Sequence, residues 1–261
     1  MSERLILYGL ICLAILCHEL GHFLVGRLFG CRIKKLCLFY DPGFHLLSTG
    51  KRFHTELTIG WIPLGGYVLF QLPDKEEEPN PQWCILAKKS WQRMLISLSG
   101  ILVNLLLGYG CLLGWNVHYT AEYGINGWEA PWIMTNGMAK DISRNLKENV
   151  EAQLLFMSHQ AWEEKENPEQ EAHTGKSYDW YFPYFQHDVI WQFSYINLSL
   201  ALLNTFPIPP LDGGNTLLHV FHMLTGKEMN DRLKIILMCL GIFLVLWSLL
   251  GGLWLMVQQL F

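Results

Sequence analysis

Residues 4–28 read RLILYGLICLAILCHELGHFLVGRL, and this stretch decides how the rest of the chain is to be understood. It is long and apolar enough to cross a bilayer as a helix, which takes about 20 residues. Three ionisable side chains, His18, Glu19 and His22, nevertheless interrupt it. At such depth each costs about 2.5–3.5 kcal/mol on insertion scales, so a sequence keeps them where they line a cavity or bind something. Their spacing is H-E-x-x-H. At about 100° per residue, four residues return the second imidazole to within about 40° of the first. His18 and His22 can therefore hold one Zn²⁺ from a single helix face, with Glu19 as general base toward an attacking water. Gly21 leaves space beside that face. The plainer alternative is a pair of packed histidines and a snorkelling Glu. An apolar span weakens it, because the burial of all three groups would then stand without offset.

Three further stretches are apolar enough to span: Trp91 to Trp115, Val189 to Pro207 and Leu233 to Val257. Hydrophobic residues make up 51% of the 261 and charged residues 16%, below the roughly 25% of average globular proteins. The mean hydropathy is only +0.20, so apolar and polar material is segregated along the chain. Eleven Trp suit a membrane–water interface. A net charge of −4 gives no reason to expect nucleic-acid binding. Seven Cys without a CxxC pair read as buried thiols. No Ala-x-Ala site follows the first apolar stretch, which is expected to be a retained span rather than a signal peptide.

The basic residues give an orientation. Between Arg27 and Arg93 there are ten Lys or Arg, whereas residues 116–187 carry five against eleven acids. Basic loops stay cytoplasmic, so the first and third connections are expected inside and both termini outside. The expected fold is an all-α membrane protein of four transmembrane helices with a broken third helix. Its segments are residues 1–115, an extracytoplasmic insert at 116–187, and residues 188–261. Between the first two helices, residues 54–70 (HTELTIGWIPLGGYVLF) are β-branched and aromatic, with Pro63, Gly65 and Gly66 inside. They predict either a small hairpin or a sheet dipping toward the membrane. The insert is expected to hold a helix near 138–166 and an aromatic patch, YDWYFPYF, at 178–185.

Hydrolytic zinc needs a third protein ligand and an open position. Asp212 offers one, at the end of Asn204-Thr-Phe-Pro-Ile-Pro-Pro-Leu-Asp212-Gly-Gly. Three prolines and two glycines must break the helix there, and irregular backbone at membrane depth is tolerated only where it is buried or lines a cavity. In the expected topology Asp212 arrives at the depth of His18 and His22. On its own it could equally cap a helix beginning near Gly214.

With these motifs in view, the chain resembles the site-2 protease family of intramembrane zinc metalloproteases, and most nearly its bacterial regulator-of-sigma-E-protease branch. The family's HExxH matches His18, Glu19 and His22, and its N-x-x-P-x-P-x-L-D-G matches Asn204 through Gly213. Gly60 to Val68 is similar to its membrane-associated β-loop, and Trp91 to Asn104 to the start of its second span. The resemblance implies Zn²⁺ held by His18, His22 and Asp212, with Glu19 as the catalytic base. It further implies a β-loop around Gly65, Gly66 and Tyr67 that accepts an unwound substrate strand, and a multi-pass protein of the bacterial inner membrane. Substrates would be membrane-tethered regulators or remnant signal peptides, met within the lipid bilayer. Asn204 would bind substrate or tie down the broken loop. Two departures stand out: Ser99-Gly100-Ile101 replaces the family's Ala-Gly-Pro, and residues 116–187 lack a recognisable PDZ carboxylate-binding loop. Readings from other classes are an intramembrane metal transporter or sensor and a silent scaffold. Glu19 between the histidines and the lack of repeated halves speak against transport. His219 and His222 read as helix surface, or as groups near the metal. Nothing fixes the oligomeric state.

Overall fold

The computed structural model describes residues 2–52, 55–73, 81–122, 135–136, 140, 144 and 189–243. Helix α1 runs over Ser2–Leu28, about 40 Å at 1.5 Å per residue. Helix α2 covers Ser90–Glu122. Among the described residues, two helical stretches are long and apolar enough to cross a membrane: Leu5–Leu28 and Ser90–His118. Helix α3 spans Val189–Asn204 and α4 spans Asp212–Thr225. Residues 231–243 are again helical (α5), at the start of the expected fourth span. The rest of that span, the predicted helix at 138–166 and the aromatic patch at 178–185 lie outside the described residues.

Where the sequence predicts a hairpin or sheet at 54–70, the fold holds a four-stranded sheet that starts much earlier. Its strands are β1 (Ile33–Tyr40), β2 (Leu47–Arg52), β3 (Thr55–Ile59) and β4 (Ile62–Phe70), in the order β2-β3-β1-β4. An all-α description therefore needs this amendment. β1 lies parallel to β3, pairing Cys37 with Thr58, and antiparallel to β4, pairing Cys37 with Tyr67 and Leu38 with Gly66. Ile33-Lys-Lys-Leu-Cys-Leu-Phe-Tyr40 hides its strand character, because adjacent lysines interrupt the alternation expected of a half-buried strand. Its Ile33, Leu36 and Cys37 are nevertheless buried. β4 is an edge strand, paired on one side only among the described residues.

The chain divides into two compact units. The first, residues 1–107 and 200–241, contains α1, the sheet, the beginning of α2 and α4. Within it α1 and α2 run antiparallel. Gly21 lies so close to α2 that a Cβ there would be 2.7 Å from the Ser99 carbonyl oxygen. The second unit, residues 108–199 and 242–261, packs Leu112, Trp115, Trp191 and Leu198 into one core. There Asn116 donates from Nδ2 to Thr135 Oγ1 at 3.0 Å.

α3 ends where the proline-rich segment begins. Pro207, Pro209 and Pro210 cannot donate backbone hydrogen bonds, and residues 205–211 form a compact bend with a cis Pro209–Pro210 bond. The chain restarts as a helix at Asp212. A Cβ at Gly213 would lie 2.3 Å from Thr205 O, and one at Gly214 would lie 2.1 Å from the Pro209 nitrogen. Only glycine lets α4 begin directly against the bend.

Candidate metal centre

α1 presents His18 and His22 on one face, four residues apart, as the helical period requires. Both are buried, as is Glu19. Asp212 reaches them from the first turn of α4. Its Oδ2 lies 2.9 Å from His18 Nε2 and 3.1 Å from His22 Nε2, and the two Nε2 atoms are 3.2 Å apart. Residues 190 positions apart in sequence thus bring three donor atoms to one point. The capping alternative for Asp212 is not what the fold contains: the residue preceding α4 is Leu211, no side chain caps that helix end, and the Asp212 carboxylate is turned to the histidines.

The donor set fits a metal ion. In a tetrahedral zinc site with bonds of about 2.0–2.1 Å, ligand atoms are separated by about 3.3 Å. The observed triangle is close to that size, and two imidazoles with one carboxylate suit zinc. The wall opposite is equally specific. A Cβ on Gly100 of α2 would come within 2.5 Å of His22 Nε2 and 2.6 Å of His18 Nε2. Glycine at this position keeps the space beside the ligand atoms open. In the sequence Gly100 stands out only as part of Ser99-Gly100-Ile101, with no sign of a role beside the histidines. The available signal was a small residue where a helix had to meet the H-E-x-x-H face.

His22 is held from behind. Its Nδ1 donates to the Ile96 carbonyl at 2.7 Å, and Ser99 Oγ lies 3.3 Å away. Ligating histidines commonly donate their second ring N–H in this way, which fixes tautomer and ring orientation. Ser99 itself donates to the Ile96 carbonyl at 2.6 Å. His18 Nδ1 is buried with no hydrogen-bond partner.

The sheet meets this centre through β4. A Cβ on Gly66 would lie 2.8 Å from Glu19 Cγ and 2.9 Å from the Cys37 carbonyl oxygen, so the strand passes against the Glu19 side chain. Its neighbour Gly65 has φ +104°, a conformation natural to glycine. The Tyr67 side chain is tied back into the sheet. Its hydroxyl donates to Asp41 Oδ1 at 2.5 Å, and Lys35 pairs with the other carboxylate oxygen. Burial alone would raise the Asp41 pKa, but these two partners hold it below the usual carboxylate range. Burial and the Asp41 contact push the Tyr67 phenol well up, so it stays a donor.

Asn204 lies at the end of α3, where its Nδ2 donates to the Leu200 carbonyl at 3.0 Å. His222 is not bare helix surface: it contacts Ser90 Oγ of α2 and lies 3.9 Å from Glu228. Neither His219 nor His222 belongs to the donor cluster.

Comparison with known proteins agrees with this geometry. A protein described as a candidate zinc metalloprotease from Thermotoga maritima is 35% identical over 98 residues, covering 36% of this chain and 19% of its own length. One from Synechocystis is 32% identical over 108 residues, 41% of this chain and 29% of its own. A third, from Nostoc, is 29% identical over 131 residues, 49% and 34% respectively. The chain thus spans about a fifth to a third of the length of these relatives. The model of peptidase family M50 matches residues 6–248, and the chain belongs to that family.

Proposed function

We propose that the protein is an intramembrane zinc metalloprotease that hydrolyses peptide bonds within or beside transmembrane segments. The observation that carries this reading is the convergence of His18 Nε2, His22 Nε2 and Asp212 Oδ2 to within 2.9–3.2 Å, with Glu19 buried on the same helix. Membership of family M50 and the names of the relatives support it.

His18, His22 and Asp212 would hold the zinc. When bound, the ion supplies Lewis-acid polarisation of the scissile carbonyl and lowers the pKa of the attacking water. Glu19 takes the proton from that water and delivers it to the leaving amine. Gly66 keeps β4 against Glu19 and limits the directions its carboxylate can take. A helical substrate hides its backbone in internal hydrogen bonds, so it unwinds before attack. The side of β4 that is unpaired among the described residues then offers backbone groups for edge pairing with the extended strand. Gly65 adds no side chain beside that edge, while Tyr67, through Asp41, anchors β4 to β1 from the other side. Asn204 holds the end of α3 above the bend that delivers Asp212.

Four transmembrane helices, with α3 and α4 as the two halves of a broken third, place the metal toward the cytoplasmic side and both termini outside. Residues 116–187 form the extracytoplasmic insert. The setting is a bacterial inner membrane, and the substrates are membrane-tethered regulators or remnant signal peptides.

The deciding experiment reconstitutes the protein with a labelled transmembrane substrate, then measures cleavage and bound zinc in the wild type and in Glu19→Gln. Loss of cleavage with zinc retained is the expected result. Zinc flux across the bilayer without cleavage would instead establish a transporter.

A further inference from the structure

Asn104 of α2 is fully buried, and neither its Oδ1 nor its Nδ2 has a hydrogen-bond partner. A carboxamide so placed loses its hydrogen bonds to water and gains none in return, which is costly for each buried group left unpaired. A second orphan lies nearby in register, the Nδ1 of His18. The register follows from contacts along the antiparallel α1–α2 pair. His22 meets Ile96, and both His18 and His22 meet Gly100. Each turn forward on α2 is therefore a turn back on α1. Asn104 is one turn beyond Gly100 on the same face, level with the turn of α1 that precedes His18. Side chains of a helix lean toward its N-terminus, so the His18 ring leans toward this level.

The two histidines otherwise differ without reason. His22 has its Nδ1 fixed by the Ile96 carbonyl. His18 carries the same ligand atom, Nε2, toward the same point, and an equivalent hold on its Nδ1 would lock tautomer and ring plane. Resting on the metalloprotease reading above, we infer that Asn104 is the positioning residue for His18, its carboxamide oxygen accepting the Nδ1 proton's hydrogen bond across one water. The pairing would satisfy two buried orphans at once, and it explains an amide inside an apolar span. Asn104 does not touch substrate in this scheme; it acts through His18.

The test compares wild type with Asn104→Leu, which keeps the volume but removes the acceptor, and Asn104→Asp, which keeps an acceptor in the same place. Zinc affinity is measured by chelator competition, and the ligand field by the visible spectrum after cobalt substitution. Asn104→Leu is expected to weaken zinc binding about 10- to 100-fold and to alter the cobalt spectrum, with Asn104→Asp restoring both. Unchanged affinity and spectrum in Asn104→Leu would overturn the inference, as would an Asn104→Asp variant as weak as Asn104→Leu. Should Asn104→Leu fail to fold, ring-¹⁵N spectra of histidine-labelled wild type and Asn104→Asp decide. A hydrogen-bonded Nδ1–H on His18 that shifts with the substitution supports the pairing, and an Nδ1 signal indifferent to it overturns it. His22→Ala serves as reference: wild-type protein that holds no more zinc than this variant would refute the metal centre itself, a failure distinct from that of the Asn104 assignment.

Discussion

Two glycines do different work at the centre, and single methyl groups can separate them. Gly100 faces the imidazoles of His18 and His22, and Gly66 faces Glu19. In Gly100→Ala the new Cβ would sit 2.5–2.6 Å from both Nε2 atoms, inside van der Waals contact, and α2 or the imidazoles must move. Such overpacking costs about 1–3 kcal/mol, and here much of it falls on ligand geometry. Zinc affinity is therefore expected to drop by about 10-fold or more, read by chelator competition, with cleavage lost in parallel. Gly66→Ala presses on Cγ of Glu19 instead. It should leave zinc bound while lowering turnover by about 10- to 100-fold, since a positioned general base is worth about 10²–10⁴ in rate. Equal losses of zinc in the two variants would contradict this division. Neither role was readable from sequence. His18, Glu19, His22 and Asp212 announce themselves by being ionisable where apolar residues are cheaper, whereas a glycine that yields space differs from one that merely tolerates it only in three dimensions.

At the scale of elements, the helices and the break were legible because hydropathy and proline act locally. α3 gives way three residues before Pro207, and the helix restarts at Asp212. The sheet was only half legible. β3 and β4 lie within the β-branched, aromatic run at 54–70, but β1 and β2 carry Lys34, Lys35, Gly50 and Lys51, which mask alternation. β1 is nonetheless the strand on which the sheet depends, lying between β3 and β4. One of its lysines explains why: Lys35 pairs with Asp41, which also accepts from Tyr67 of β4. The Asp41 pKa lies below its ordinary value, about 3.9 when unfolded. The stabilisation is therefore complete above about pH 4 and is lost as pH falls through the lower, folded value. Asp41→Asn should destabilise the sheet by about 1–2 kcal/mol at neutral pH, measured as faster proteolysis within β1–β4. The gap to wild type should narrow on acidification below about pH 4. A gap that widens in acid would mean that Asp41 is not the paired carboxylate described here.

Over the whole molecule, the metal centre joins elements far apart in the chain. α1 brings two of the three convergent donor atoms and α4 the third, 190 residues later. What lies between them includes the sheet, α2 and α3, so the contact closes a very long loop. Without an ion, the convergence sets a carboxylate and two imidazoles against buried, apolar surroundings. A metal that binds only the folded state adds RT ln(1 + [L]/Kd), about 4 kcal/mol at a thousandfold excess over Kd. For a chain of this size each kcal/mol moves the unfolding midpoint by roughly 2–4 °C. Chelating zinc from the detergent-solubilised wild type should accordingly lower its thermal midpoint by roughly 10 °C. Cleavage by an added protease should quicken at residues 205–211, because the bend is held against α1 by Asp212. Glu19→Gln keeps His18, His22 and Asp212 and should show the full response to chelator while losing the proposed cleavage. His22→Ala lacks a ligand and should begin near the chelated midpoint, with little further change. Stability and catalysis thus separate across the two variants. A wild type whose melting ignores the chelator would show that α1 and α4 are held by packing alone, with the metal serving chemistry and not the fold.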